Sequence, residues 1–314
     1  MNRWQTLVER GGLALADGAM GTMLFDQGLE SGGSPELWNI EHPDRVGAIH
    51  RGYLEAGSDL ILTNTFGGNR FRLALHGLEG RVEELNRAGS RIAREAALAS
   101  GREALVAGDI GPSGGILEPL GDLAFEAAVS GFAEQARALI EDGVDVMWIE
   151  TMSDLEEIRA AIEGVRRISH TIPLITSMTF DTRGHTMMGV TPEQAVDALL
   201  GWGAAAVGGN CGNGPQEILD VIEKMRRRAP QARLVAKANA GVPAWKNGRA
   251  AYGAGPEEMA AYAAAVAERG AWLIGACCGS TPAHLQVMAE ALGERLTVPA
   301  GTPPAETHTL GTSR

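Results

Sequence analysis

Short apolar runs recur along the whole chain, and each carries Gly, Asn, Asp, Glu or Thr near its end. Between them lie longer stretches with the apolar spacing of amphipathic helices, such as PDRVGAIHRGYLEAG and PQEILDVIEKMRRRAP. Near-continuous apolar strands that alternate with helices are typical of a parallel sheet covered on both faces. The runs are LALADG, DLILTNT, ALVAGDIG, DVMWIET, PLITSMTF, AAAVGGNC, RLVAKANA and AWLIGACCG.

Eight such units over about 290 residues match the usual size of a (β/α)₈ barrel. A doubly wound open sheet is the alternative, but no G-x-G-x-x-G follows the first run and eight strands would make a wide sheet. We therefore predict an α/β fold, a single-domain (β/α)₈ TIM barrel over residues 1–296. Residues 297–314, rich in Pro, Thr and Gly, are predicted to form a flexible tail.

Two helix starts are predicted from capping-box patterns. Thr191 and Gln194 have the required spacing, with Pro192 at the first helical position. Ser153 and Glu156 have the same spacing. Both patterns place a helix directly after a predicted strand and its loop.

The charge balance excludes several classes of partner. A formal net charge of -12 argues against nucleic acid and against an anionic membrane surface, since both are bound by clustered Lys and Arg. No run approaches the roughly 20 apolar residues needed to span a bilayer, and the N-terminus lacks an apolar signal region. Three cysteines without a secretion signal predict a cytoplasmic protein. The sequence leaves homo-oligomer formation open.

All three cysteines fall at strand ends, where the chemistry of such barrels is located. Zn²⁺ favours thiolate ligands, so Cys211, Cys277 and Cys278 are predicted to bind one zinc ion. Neighbouring residues on a regular strand point to opposite faces, so Cys277 and Cys278 can bind one ion only if their strand has ended or bulged there. The same rim carries Asp17, Thr63, Asn64, Asp109, Glu150, Asn210 and Asn239.

Three protein ligands leave one position on zinc open, which is typical of a catalytic rather than a structural site. Three thiolates make the centre electron-rich, and it would suit holding an incoming thiol as a thiolate. Two alternatives stay open: the cysteines are small buried apolar residues, or Cys277 and Cys278 form a strained vicinal disulfide.

Seven motifs occur in order along the chain: LADGAMGT, LTNTFGGN, GDIGPSG, WIETMSD, GGNCGNGP, ANAGVP and IGACCGSTPAH. Together they resemble the zinc-dependent homocysteine S-methyltransferase family. The family includes the homocysteine-binding domain of cobalamin-dependent methionine synthase and betaine–homocysteine methyltransferase. The resemblance implies a (β/α)₈ barrel that binds Zn²⁺ through three cysteines and methylates homocysteine to methionine.

The resemblance also implies roles for individual residues. The homocysteine sulfur would take the open zinc position, Asp17 and Glu150 would hold its ammonium group, and Asn239 would make a polar contact. Asn64 and Asn239 are equally compatible with satisfying loop backbone. Lys237 near a strand end raises the separate alternative of a Schiff-base aldolase. The substrate carboxylate would meet backbone amides of the turn that contains Gly18, Ala19, Gly21 and Thr22.

The methyl donor is the part of the function on which family members differ. Betaine-using members surround the quaternary ammonium with aromatic side chains. The corresponding positions here lie near Ser34, at Gly67 and at Thr151, and none of these three residues is aromatic. The motifs TNTFGGN and ETMSD look closer to the cobalamin-dependent enzyme, whose donor would here be a methylcorrinoid on a separate protein. Betaine and S-methylmethionine are the alternatives, and a non-catalytic barrel with a structural zinc is the alternative from a different class.

Overall fold

The computed structural model describes residues 3–246 and 249–296, so the predicted tail lies outside the described residues. Each of the eight apolar runs contains a strand of one parallel sheet. The strands of this sheet are β1 (Ala14–Leu15), β2 (Leu60–Leu62), β3 (Leu105–Ile110), β4 (Val146–Met152), β5 (Leu174–Met178), β6 (Ala206–Cys211), β7 (Leu234–Ala238) and β10 (Ala271–Ala276). Between β7 and β10, β8 (Ala244–Lys246) and β9 (Arg249–Ala251) pair as an antiparallel hairpin.

The sheet closes on itself. Strands β2 to β7 pair with their neighbours in sequence order, β7 pairs with β10, and β10 pairs with β1. A parallel bridge between Ala16 and Leu60 joins β1 to β2 and completes the ring. The predicted single-domain TIM barrel is confirmed.

Helices surround the sheet and follow its strands. Those described are α1 (Arg3–Glu9), α2 (Gly21–Asp26), α3 (Trp38–Glu41), α4 (Pro43–Glu55), α5 (Arg70–Ala74), α6 (Val82–Ala99), α7 (Phe125–Glu141), α8 (Leu155–Ile168), α9 (Pro192–Gly201), α10 (Pro215–Arg228), α11 (Pro256–Glu268) and α12 (Pro282–Leu292). Short 3₁₀ turns cover Glu79–Arg81 and Gly293–Leu296. Among the described helices, none combines the length and the apolar character that crossing a membrane requires.

One of the two predicted helix starts is confirmed and the other is wrong. Thr191 Oγ1 accepts the Gln194 N–H at 3.1 Å, and Gln194 Oε1 accepts the Thr191 N–H at 2.9 Å. Helix α8 instead begins after Asp154, whose carboxylate accepts the Glu156 N–H at 2.9 Å. Because Asp154 is the residue with extended backbone directly before the helix, its side chain takes the capping role predicted for Ser153.

The lower half of the barrel interior is apolar. Alternate residues of each strand point inward, and those near the strand starts form a buried apolar cluster that includes Leu105, Val146 and Val235. Helix α1 covers this end: Trp4 packs edge-on against Trp272 with the ring centroids 5.5 Å apart. Polar inward-facing residues are therefore concentrated at the opposite end, where the strands finish.

Candidate metal and substrate site

The structure brings the three cysteines together at the carboxyl ends of β6 and β10. Their Sγ atoms all lie within 4.8 Å of one another. Cys211 ends β6 with a positive φ of 64°. Cys277 and Cys278 follow the last residue of β10, so both thiols can turn toward Cys211 because the alternation of the strand has ended. All three cysteines are free, which excludes a vicinal disulfide in this structure.

Gly279 makes this turn possible. It has a φ of 81°, which favours glycine, and a Cβ there would lie 2.3 Å from the Cβ of Tyr252. Tyr252 comes directly after β9, and its side chain forms a hydrogen bond with Cys278. The Asn-Gly dipeptide at 247–248 is a hairpin signal in the sequence that the strand analysis did not use.

The three thiols are difficult to ionise in each other's presence. Hydrogen bonding to Cys211, together with burial, raises the pKa of Cys277 well above its ordinary value. For Cys211, the hydrogen bond with Cys277 lowers the pKa, but the one with Cys278 and burial outweigh it and raise the pKa to about 12. Thiols in this state become ligands when a cation compensates their charge, so the donor set fits a thiophilic divalent metal such as Zn²⁺.

A cavity of about 250 Å³ lies beside the cysteines at the barrel mouth. Four ionisable side chains other than the cysteines and Lys237 line it, and all of them are carboxylates. Phe66 is the single aromatic side chain among the described residues around it. The lining includes Asp17, Glu36, Thr63, Asn64, Asp109, Glu150, Thr151, Cys211, Lys237, Cys277 and Cys278.

Lys237 is the cation of this cavity. Its Nζ lies 2.9 Å from Asp17 Oδ1 and 4.0 Å from Glu150 Oε2, and its side chain is 3% exposed. Burial lowers the pKa of Lys237, but the charges of Asp17 and Glu150 outweigh burial and raise it above the ordinary value. Two neighbouring carboxylates favour the charged form of Lys237, and an ammonium is not a nucleophile, which argues against the aldolase alternative.

The carboxylates differ in how their oxygens are occupied. Asp17 accepts from Lys237 with Oδ1 and from the Leu62 N–H with Oδ2 at 2.7 Å. Glu150 Oε2 and Asp109 Oδ1 are buried and have no hydrogen-bond partner within the described residues. Burial is the largest cause that raises the pKa of Asp17, Asp109 and Glu150.

A hydrogen-bond network fixes the backbone next to Glu150. Thr151 has a φ of 61°, and its N–H donates to Asn210 Oδ1 at 2.9 Å. Asn210 Nδ2 donates to Thr151 Oγ1 at 2.6 Å, and Ser177 Oγ donates to Asn210 Oδ1 at 2.7 Å. The network holds Thr151 in its strained conformation and so fixes the backbone position from which the Glu150 side chain extends.

The other predicted substrate residues lie in different surroundings. Gly18, Ala19 and Gly21 line the cavity, but the Ala19 N–H already donates to Ser280 Oγ at 3.0 Å. Thr22 lies along a neighbouring cavity, where its Oγ1 accepts the Gly279 N–H at 3.1 Å.

Both predicted asparagines hold neighbouring loops. Asn64 Nδ2 donates to the Pro35 carbonyl at 2.8 Å and to Asn39 Oδ1 at 2.9 Å. Asn239 Nδ2 donates to the Gly212 carbonyl at 2.7 Å. Its buried Oδ1 has no partner in the described part of the chain, so Asn239 keeps one free acceptor beside Cys211.

Glu36 is a cavity residue that the sequence analysis missed. Its carboxylate is 4% exposed and accepts from Ser34 Oγ and from the Gly67 N–H, both at 2.8 Å. A Cβ at position 67 would lie 2.9 Å from Glu36 Oε1, so the glycine leaves room for the carboxylate. Glu36 belongs to a loop rather than a strand end. The sequence analysis considered only residues at strand ends, which we call the strand-end rule, and therefore could not identify it.

Comparisons with known proteins identify related sequences. Methionine synthase of Mycobacterium tuberculosis is 35% identical over 294 residues, which cover 88% of this chain and 24% of that protein. Methionine synthase of Mycobacterium leprae is 34% identical over 306 residues, which cover 92% of this chain and 25% of that protein. The chain therefore spans about a quarter of the length of these curated relatives.

Among solved structures, the metallated homocysteine methyltransferase MmuM from Escherichia coli has the same fold. The TM-score is 0.78 at 24% identity, over 92% of this chain and 99% of that chain. Residues 14–292 match the family model described as homocysteine S-methyltransferase. This match covers nearly the whole barrel, including the carboxylates and the three cysteines of the mouth, and the chain therefore belongs to the homocysteine S-methyltransferase family.

Proposed function

We propose that this chain is a zinc-dependent homocysteine S-methyltransferase that forms methionine, with a methylcorrinoid on a separate protein as the methyl donor. The observation that carries the proposal is the approach of three Sγ atoms within 4.8 Å of one another beside a cavity lined with carboxylates. Such a site offers soft ligands for a metal and counter-charges for a substrate ammonium within one space.

Cys211, Cys277 and Cys278 would hold the zinc. Zn²⁺ bound there supplies the positive charge that keeps an incoming thiol ionised at neutral pH. Asp17 and Glu150 bind and orient the substrate ammonium, and Lys237 keeps Asp17 in place through their ion pair. The thiol proton leaves through the open mouth of the barrel, so the chain needs no dedicated acid or base there.

Methyl transfer then depends on positioning. The homocysteine thiolate attacks the methyl carbon in line with the bond to the leaving group, which departs with the electron pair of that bond. The carboxylates fix one end of homocysteine, and the metal that Cys211, Cys277 and Cys278 would hold would fix its sulfur, so the nucleophile is held in one orientation.

A methylcorrinoid donor is supported by the character of the cavity wall. A quaternary ammonium such as betaine is best held by several aromatic faces. Here Ser34 and Gly67 are engaged with Glu36, and Phe66 is the aromatic side chain of the described lining. A donor that approaches over the mouth requires no such cage.

S-methylmethionine is the second candidate donor, and Glu36 is the observation that favours it. S-methylmethionine carries a sulfonium and an ammonium group. A buried carboxylate on the cavity wall, held in place by Ser34 and Gly67, would attract either cation.

A donor panel tests the proposal. Zinc-loaded protein and homocysteine are incubated separately with methylcobalamin, S-methylmethionine and glycine betaine, and methionine is measured. We expect methionine from methylcobalamin and none from betaine. X-ray absorption at the zinc edge should show an added sulfur ligand when homocysteine binds. Zinc that stays bound with unchanged coordination, and no methionine from any donor, would indicate the non-catalytic barrel with structural zinc.

A further inference from the structure

Lys237 lies against the two carboxylates that the proposed function assigns to the substrate ammonium. Its Nζ is 2.9 Å from Asp17 Oδ1 and 4.0 Å from Glu150 Oε2. The Lys237 side chain is buried, and its Nζ lies 5.1 Å from the centroid of the Trp148 ring. In this structure, which contains no substrate, an ammonium of the protein itself therefore compensates both carboxylates.

The Lys237 ammonium and the substrate ammonium compete for the same oxygen. Asp17 Oδ2 accepts the Leu62 N–H at 2.7 Å, so Oδ1, which accepts from Lys237 Nζ, is the oxygen that a substrate ammonium would need. Two like charges beside one buried carboxylate repel strongly, because little water screens them there. Homocysteine can bind both carboxylates fully only when Lys237 Nζ moves away from Asp17.

Asp109 is a second buried carboxylate within the same cavity. It is 5% exposed, and its Oδ1 has no hydrogen-bond partner among the residues described. Asp109 is the parallel partner of Trp148 on the adjacent strand, so both side chains leave the sheet on the same face. Because Lys237 Nζ lies over the Trp148 ring, Asp109 is a neighbouring position for this ammonium.

The charge of Lys237 already acts on Asp109. Burial, followed by the charge of Glu150, raises the pKa of Asp109 well above its ordinary value, and the charge of Lys237 opposes both. The structure thus contains one ammonium and a free carboxylate oxygen in its vicinity.

The balance of charge determines which carboxylates Lys237 contacts. Without substrate, Asp17 and Glu150 together attract Nζ more strongly than Asp109 does alone. Once a substrate ammonium compensates these two, Asp109 becomes the carboxylate without a cation. The four-carbon stem of lysine is flexible, so rotation about its last bonds moves Nζ while the backbone of Lys237 stays in β7.

We propose that the Lys237 ammonium is an internal competitor of the substrate: it holds Asp17 and Glu150 in the substrate-free protein and moves to Asp109 when the homocysteine ammonium binds. The inference rests on the proposed function, which supplies homocysteine as the ligand. Lys237 is then a positioning residue that keeps both carboxylates ionised before the substrate arrives, and it lowers the affinity for the amine. Asp109 makes the exchange possible because it receives the displaced charge.

Calorimetry without a methyl donor tests the competition. Homocysteine and 4-sulfanylbutanoate, which lacks the amine, are each titrated into zinc-loaded protein. Lys237→Met keeps a long unbranched side chain without its charge and should bind homocysteine at least roughly tenfold more tightly. 4-Sulfanylbutanoate should bind this variant no better than the wild type, because it has no ammonium to take the vacated position.

Asp109→Asn tests where the displaced ammonium goes. The substitution keeps the side-chain volume and removes the charge that would receive Lys237, so homocysteine should bind roughly tenfold more weakly. In the Lys237→Met background, the same substitution should change homocysteine affinity less than about twofold, because no ammonium has to move. A merely structural role of Asp109 would not produce this difference between the two backgrounds.

Lys224→Met is the matched control. Lys224 lies on α10 and does not line the cavity, so the variant loses the same charge and both affinities should stay unchanged. Lys237→Gln replaces Lys237→Met if the latter does not fold. It keeps an N–H donor for Asp17 without the positive charge and should also bind homocysteine more tightly. Metal analysis of each variant ensures that zinc-loaded proteins are compared.

The outcomes separate the inference from the function. If removing the charge of Lys237 leaves homocysteine binding unchanged or weaker, or tightens both thiols equally, the inference is overturned and the proposed function stands. An equal loss of affinity from Asp109→Asn with and without Lys237 overturns it in the same way. If the wild type binds neither thiol, the proposed function fails and the inference fails with it.

Discussion

The two ends of the barrel are built from the same strands but have opposite chemistry. At the end covered by α1, Trp4, Leu7 and Trp272 are buried among apolar side chains. At the mouth, Asp17, Asp109 and Glu150 share a cavity with Lys237, and the last two carboxylates each have an oxygen without a partner among the described residues. The first arrangement contributes stability through apolar burial, whereas the second costs stability and offers binding capacity instead.

Backbone strain follows the same division. Cys211 and Thr151 are non-glycine residues with positive φ, and both lie at strand ends on the mouth. Each such conformation costs on the order of 1–3 kcal/mol, and the Asn210 network holds Thr151 in place. The comparison teaches that, among the described residues, these two strained positions and the unpartnered carboxylate oxygens lie at the mouth, where the proposed chemistry would occur.

The largest effect is expected from removing one thiol at the mouth. Wild-type protein should hold about one zinc per chain, and Cys278→Ala should lose most of the metal and nearly all methyl transfer, because two thiolates bind zinc far more weakly than three. Metal content is measured by mass spectrometry after gel filtration. Full zinc retention in Cys278→Ala would contradict the proposed ligand set and the proposed metal-binding role of the mouth.

A substitution at the opposite end should affect stability alone. Trp4→Ala removes a side chain that is 7% exposed and packed against Trp272, so the free energy of unfolding should fall by about 3 kcal/mol. Urea unfolding measures this loss. Zinc content and homocysteine affinity of the folded variant should equal those of the wild type, and a parallel loss of either would show that the two ends are coupled.

The smallest effect is expected in the pH dependence of stability. Burial and the charge of Glu150 raise the pKa of Asp109 well above its ordinary value of 3.8, so the folded protein binds this proton more tightly than the unfolded chain. The contribution of Asp109 to stability therefore falls as the pH rises from about 4 through the folded-state pKa.

The stability advantage of Asp109→Asn over the wild type should accordingly grow between about pH 5 and pH 8. Urea unfolding of both proteins across this range gives the difference directly, and shared contributions from surface ion pairs cancel. A difference that stays constant with pH would mean that Asp109 is not held at a raised pKa.

The fold followed closely from the sequence, since each of the eight apolar runs became a barrel strand. Apolar runs of this length report burial on both faces, which is a local property. Two predictions failed. Asp154 rather than the neighbouring Ser153 caps α8, because both residue types can cap a helix. The β8–β9 hairpin was missed within the long segment after β7. The predicted tail over 297–314 stays a prediction.

The sequence predicted those residues of the candidate site that lie at the ends of strands. The strand-end rule placed Cys211, Cys277 and Cys278 on one rim, together with Asp109 and Glu150. It did not distinguish Asp17, whose oxygens are engaged, from Asp109, whose Oδ1 has no partner in the described structure. It also missed Glu36, which reaches the cavity from one loop and accepts a hydrogen bond from Gly67 in another loop that is remote in sequence.

The sequence by itself determined the alternation of strands and helices and therefore which ends of the strands face the mouth, because apolar periodicity encodes burial along the chain. Only the tertiary structure decided which polar atoms at that mouth are already satisfied. Hydrogen bonds and ion pairs such as that of Lys237 with Asp17 join residues 220 positions apart, and no local pattern records them.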